Sequence, residues 1–214
     1  MKKIVLILII LATIFTGNDH ALSQTFIYKL SENFTGNVPE APPLVQIPNN
    51  NGLTGEFVSR TVPATTCEEG GTAGGYFFED DAGLQFNCPP GFIGEAYSLS
   101  LIFKIDEMLS PPAWVRLLSF THTDDHGMYI YLTNPPTKGT LEFWPYGVAG
   151  ETDFFDTENF YQLILVRNDA GLIKVYVNGS LQNTYDPTNS NWDDGGLQDV
   201  IFGASNWGGS YSKI

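Results

Sequence analysis

The sequence predicts an all-β protein, a two-sheet antiparallel jelly-roll sandwich. Short runs of alternating apolar and polar residues recur along the chain, split by clusters of Gly, Pro, Asn and Asp, and no long window carries a helical period. The dipeptide Asn178-Gly179 divides LIKVYVNGSLQNTY into two such runs. That is the strongest short-range hairpin signal, because a type I′ turn needs positive φ at both central residues. Turn signals are spaced as in a sandwich, and no fixed-period repeat points to a propeller or solenoid.

The elements follow in chain order. MKKIVLILIILATIFTGNDHALSQT begins with the positive Lys2 and Lys3 and continues into an apolar run from Ile4 to Phe15. That run is too short for a spanning helix. Ala21-Leu22-Ser23 places small residues at positions −3 and −1 of a cleavage site. Residues 1–23 therefore read as a signal peptide, cleaved before Gln24, with no nearby Cys to carry a lipid anchor. No later run is apolar enough to span a bilayer, so the expected mature chain, 24–214, is secreted or displayed at the cell surface.

Phe26, Tyr28 and Leu30 alternate in the first mature strand. Residues 36–56 are rich in Pro and Asn and read as loop. GGYFFEDDAGLQFN suggests two short strands around Asp80-Asp81-Ala82-Gly83. In YSLSLIFKIDE, Tyr97, Leu99, Leu101, Phe103 and Ile105 share one face, opposite Ser98, Ser100, Lys104 and Asp106. AWVRLLSF, GMYIYLTN and TLEFWPYG follow. FYQLILVRN then leads through Asn168-Asp169-Ala170-Gly171 into the Asn-Gly hairpin. There Ile173, Val175 and Val177 point one way, and Leu172, Lys174 and Tyr176 the other. VIFGAS is the last strand, bringing the expected total to roughly ten to twelve. Asn178-Gly179-Ser180 is also a glycosylation sequon, but the turn is the better reading of those residues.

Charge narrows the function. Loss of Lys2, Lys3 and Asp19 with the leader takes 10 basic and 24 acidic residues to 8 and 23, a net of −15. Such a chain repels phosphate backbones, which argues against a nucleic-acid partner. Acidity favours solubility and leaves carboxylates for Ca²⁺. Cys67 and Cys88 are the two cysteines. In an oxidising compartment they are expected to pair, closing a loop worth roughly 3 kcal/mol in the chain-entropy model, with two free thiols as the alternative.

Three stretches carry a family resemblance. They are YSLSLIFKID; then WVRLLSFTHTDDHGMYIYL, with an Asp-to-Gly-to-Tyr step before its second strand; then FYQLILVRNDAGLIKVYVNGSLQNTY followed by VIFGAS. Their order and spacing, over most of 76–206, resemble laminin-G-like domains of the concanavalin A-like lectin/glucanase superfamily, of the bacterial exported type. In that family the last of these strands is followed by a Gly-rich loop and a closing strand beside the first. Here ASNWGGSYSKI ends the sequence. The expectation is a domain truncated at its C-terminus, lacking the closing strand, from a parent with further domains.

Carboxylates, histidines and aromatics are the residues able to carry chemistry in this chain. The glucanases of this fold group use a Glu-x-Asp-x-x-Glu strand pattern, consistent with the need for two closely spaced carboxyls. The nearest approach, around Asp106 and Glu107, lacks the leading and trailing Glu, which argues against catalysis. Some laminin-G-like domains bind Ca²⁺ at a rim. Asp124 and Asp125, before Gly127, are the metal candidates; Asp153, Asp156 and Glu158 form a second acidic cluster and Asp193-Asp194 a third. Turn chemistry explains such loops equally well. His122 and His126 diverge along a strand running into a loop and have no evident third ligand for zinc. No Gly-x-Ser-x-Gly nucleophile elbow occurs. Sugars stack on exposed Trp and Tyr, which makes Trp144, Tyr146, Trp192 and Trp207 the ligand-binding candidates. Trp114, at the start of a strand, reads as core. The expected function is a non-catalytic recognition module for a glycan or a protein partner. A glycan-cleaving enzyme and a structural spacer are the alternatives.

Overall fold

A computed structural model describes residues 4–9, 28, 30, 33–49, 51–62, 71–78, 82–87, 96–105, 113–119, 127–132, 138–144, 147–186 and 199–203. Among these residues there is no helix, and fourteen strands form two sheets of seven. Sheet A contains β1 (Ile4–Ile9), β3 (Gly55–Val62), β4 (Gly71–Phe78), β6 (Tyr97–Ile105), β11 (Phe160–Arg167), β12 (Ile173–Val177) and β13 (Ser180–Tyr185), in the order β13-β12-β11-β6-β1-β4-β3. Sheet B contains β2 (Val45–Ile47), β5 (Gly83–Asn87), β7 (Ala113–Ser119), β8 (Gly127–Leu132), β9 (Gly139–Trp144), β10 (Gly147–Val148) and β14 (Asp199–Phe202), in the order β10-β9-β8-β7-β14-β5-β2. The strand pairs are antiparallel.

Alternation explains why the two sheets face each other. Leu99, Leu101, Phe103 and Ile105 of β6 and Val175 and Val177 of β12 belong to the same buried cluster as Phe86, Ile130, Leu141 and Phe143 of sheet B. Each fully buried side chain of this size contributes roughly 1.5–3 kcal/mol of transfer free energy. Two inward faces closing on one core is the arrangement of an aligned sandwich.

The hairpin forms as its sequence dictates. Asn178 and Gly179 take φ of 48° and 80°, the positive pair that a type I′ turn requires. Ile173, Val175 and Val177 are buried, while Lys174 is exposed. Asn178 also binds outside its own turn. Its Oδ1 accepts the Gln162 N–H at 2.8 Å and its N–H donates to the Gln162 carbonyl at 2.9 Å, pinning the turn to β11.

Three elements were not anticipated as such. The Pro-rich segment 36–56 contains β2 and the start of β3. The strands on either side of Ala82 belong to opposite sheets, β4 to A and β5 to B. Ile4–Ile9, within the apolar run of the expected leader, lies as β1 between β6 and β4. Tyr28 and Leu30 are buried in the core, with the Tyr28 hydroxyl donating to the Pro42 carbonyl at 2.5 Å. No helix among the described residues is long and apolar enough to cross a membrane.

Candidate functional site

The site is built on the outer face of sheet B. Val115, Met128, Ile130, Leu132, Leu141 and Phe143 point into the core, so the intervening residues of β7, β8 and β9 occupy the opposite face. Strand register arranges them in three cross-strand rows. Trp114 lies opposite Tyr131, and Tyr131 opposite Thr140. Arg116 lies opposite Tyr129, and Tyr129 opposite Glu142. Ser119 lies opposite Gly127, and Gly127 opposite Trp144. By strand geometry, three rows on three strands cover roughly 13 Å by 10 Å.

Within the rows the side chains touch. The Trp114 and Tyr131 rings are tilted by 35° with centroids 4.4 Å apart, and Trp114 meets Tyr129 edge-on at 5.9 Å. The Arg116 guanidinium carbon stands 5.4 Å from the Tyr129 ring centroid, a cation–π contact that helps cover that ring. Arg116, Tyr129 and Thr140 are buried, Trp114, Tyr131 and Glu142 are half-buried, and Trp144 is 45% exposed. Partial burial pushes the Glu142 carboxyl above the ordinary carboxylate range. Gly127 stands beside Trp144 for a steric reason. A Cβ there would run into the Leu118 backbone carbonyl, so the neighbouring position carries no side chain.

A polar cleft of about 440 Å³ opens at the other end of β9, lined by Lys138, Asp153, Asp156, Asn159, Tyr161 and Asn178 among others. Asp156 organises a turn there. Its Oδ1 accepts the N–H groups of Glu158 at 3.0 Å and Asn159 at 3.1 Å, and the Asn159 amide contacts both carboxyl oxygens. Partial burial pushes the Asp156 carboxyl up, but hydrogen bonds to Glu158, Tyr161 and Asn159 outweigh it, and the net shift is downward. Lys138 Nζ approaches at 3.8 Å. Asp153, at a φ of 53°, donates its N–H to Thr140 Oγ1 at 3.1 Å, joining this loop to the first row of the sheet face. Among the described residues no three His, Cys, Asp or Glu side chains gather as a metal site.

Of the four aromatic candidates, Trp144 is described: it ends β9 and stands on the face just outlined. Tyr146, Trp192 and Trp207 lie outside the described residues, as do Asp124, Asp125, His122, His126, Asp106, Glu107, Cys67 and Cys88. Trp114 corrects the sequence reading. It is half-buried on the outer face, in tilted ring contact with Tyr131 rather than packed in the core. Arg116, Tyr129, Tyr131 and Glu142 were not singled out from sequence. The signal was present in the alternation of WVR, MYIYL and TLEFW, whose non-core positions hold Trp, Arg, Tyr, Glu and Trp.

The fold is an antiparallel two-sheet β-sandwich of the concanavalin A-like type. The chain belongs to the concanavalin A-like lectin/glucanases superfamily, whose Laminin_G_3 model matches residues 78–213. Among solved structures it is similar to domain 4 of AbnA, a GH43 extracellular arabinanase from Geobacillus stearothermophilus determined with arabinotriose. Identity is 17%, the alignment covers 85% of this chain and 82% of that one, and the TM-score is 0.50. It is also similar to the alginate lyase AlgAT5 of polysaccharide lyase family 7, at 17% identity over 83% and 82% of the two chains with a TM-score of 0.37. No curated protein sequence matches.

Proposed function

We propose that this chain is an exported, non-catalytic glycan-recognition module, freed of residues 1–23 by cleavage before Gln24, and that the outer face of sheet B is its binding surface. The observation that carries the reading is the set of three rows on β7, β8 and β9. Trp144, Trp114 and Tyr131 offer apolar ring faces suited to the C–H side of a sugar, and Glu142 and the Tyr131 hydroxyl offer hydrogen-bonding groups beside them. Trp144 is the exposed member of the face and Trp114, Tyr131 and Glu142 are half-buried, while Arg116, Ser119, Tyr129 and Thr140 are covered, so the accessible part is the first four side chains. The likeness to the arabinanase domain supplies the fold alone; the argument for a glycan rests on the chemistry of these rows.

Calorimetry against a panel of plant, algal and microbial polysaccharides, with and without Ca²⁺, tests the reading. Binding to at least one glycan that is lost in Trp144→Ala supports it. A folded protein that binds none of the panel but captures a defined protein partner through the same face would replace glycan with protein. A folded protein blank in both assays would leave the structural spacer.

One observation favours a second reading, glycan cleavage. Glu142 carries a raised carboxyl pKa beside Tyr129 and Arg116, the kind of perturbed group a general acid needs. Against it, the register partners in this row are Arg116, Tyr129 and Val148, none of them a second carboxylate. Release of reducing ends from the same panel, abolished in Glu142→Gln, would establish cleavage. Release that survives this change but is lost on altering Asp106 or Glu107 would move it to those residues.

A further inference from the structure

Charge is placed unevenly on the outer face of sheet B. Glu142 is the middle of three outward residues of β9, between Thr140 and Trp144, with successive members roughly 6.6 Å apart. Along its row it lies opposite Tyr129 of β8 on one side and Val148 of β10 on the other. Its exposed neighbours are therefore apolar, Val148 at 47% and Trp144 at 45% exposure. Among the described residues no hydrogen bond or ion pair reaches the Glu142 carboxylate, and burial is the one cause that raises its pKa.

The same face holds a cation that a ligand cannot use. Arg116 is the one Lys or Arg in the seven strands of sheet B. It is 3% exposed, with its guanidinium over the Tyr129 ring. Lys138 precedes β9 and belongs to the polar cleft, 3.8 Å from Asp156. A molecule lying across Trp114, Tyr131, Glu142 and Trp144 thus meets an accessible negative charge and no accessible positive one from these strands. The chain as a whole has the same sign, with 10 Lys and Arg against 24 Asp and Glu.

We propose that Glu142 is the specificity-determining residue of this face, which takes neutral glycans through their hydroxyl groups and rejects acidic ones, sulfated or uronate. The inference rests on the glycan reading and adds the charge class of the ligand. An ionised carboxylate only accepts hydrogen bonds, so it is satisfied by a hydroxyl donor. A sulfate or uronate brought against it supplies no donor and a like charge. The apolar surfaces of Trp144 and Val148 strengthen that repulsion by lowering the local dielectric.

Calorimetry on matched oligosaccharides at pH 7 tests this. The probes are neutral hexasaccharides of glucose, xylose, arabinose and N-acetylglucosamine, each beside its sulfated form. In every series that binds, the neutral form should bind at least tenfold tighter than the sulfated one. Glu142→Gln keeps the shape and removes the charge, and should shrink that gap at least threefold. Glu142→Thr, neutral and favourable in a strand, is the second variant should the first not fold. Asp169→Asn removes a charge of the same sign from the exposed turn between β11 and β12, and should leave the gap at its wild-type size. Equal or tighter binding of the sulfated form overturns the inference and leaves the glycan reading standing. So does a gap that survives removal of the Glu142 charge, or one that shrinks as much in Asp169→Asn. No binding in any series removes the glycan reading, and this inference with it.

Discussion

Trp144 illustrates how one side chain serves a surface rather than a core. Nearly half of it faces solvent at the end of β9, so truncating it should leave the fold untouched. Trp144→Ala is expected to keep the wild-type melting temperature while weakening glycan affinity about fivefold or more, the loss of roughly 1 kcal/mol of ring contact, read by calorimetry. Two titrating groups give sharper tests. Burial pushes the Tyr185 phenol up to about 12, with its hydroxyl contacting the Val148 carbonyl at 3.3 Å. A raised phenol pKa favours the neutral folded form. Its contribution to stability is complete below pH 10 and is lost as pH rises from 10 towards 12. Burial also pushes the Tyr161 phenol up, so spectrophotometric titration of the folded protein should show a late-ionising group of tyrosines whose amplitude falls by one residue in Tyr185→Phe. For Glu142 the raised carboxyl means that its charge opposes the fold above the folded pKa. Wild type should therefore gain stability relative to Glu142→Gln as pH falls from 7 to 4, as thermal melts at each pH would show.

At the scale of elements, the hairpin of β12 and β13 was legible because its turn chemistry is local. Asn178 and Gly179 need nothing distant to take positive φ. Gly179→Ala, at a φ of 80°, should cost about 1 kcal/mol or more, measured by denaturant unfolding. The core face of β6 was legible for a similar reason, since strict alternation fixes the facing of every residue. The aromatic face of sheet B was harder. Trp114, Arg116, Tyr129 and Glu142 become neighbours through register between β7, β8 and β9, including a register shift between Arg116 and Leu118. Nothing within any one strand states which residue will sit opposite which. The acidic cluster of Asp153, Asp156 and Glu158 shows the converse. Its turn role was an open alternative in the sequence, and the Asp156 hydrogen bonds to Glu158 and Asn159 account for that residue.

The whole molecule stands on one core shared by two sheets. Leu101 is 1% exposed within it and pairs with Leu163 across β11. Leu101→Ala should destabilise the domain by about 2–5 kcal/mol, through lost burial and the cavity left behind, and chemical denaturation would measure it. A far-ultraviolet circular dichroism spectrum dominated by helix would contradict the architecture as a whole. The sequence by itself determined the class of fold, the facing of the regular strands and the Asn-Gly reversal, because periodicity and turn preference are properties of neighbouring residues. Tertiary structure alone decided which strands share a sheet, that β4 and β5 part company, that IVLILI enters the centre of sheet A, and that three strands bring Trp, Tyr, Arg and Glu onto one surface. Those outcomes depend on pairing between residues far apart in the chain, whose free energy comes from the partner and is not written in either segment alone.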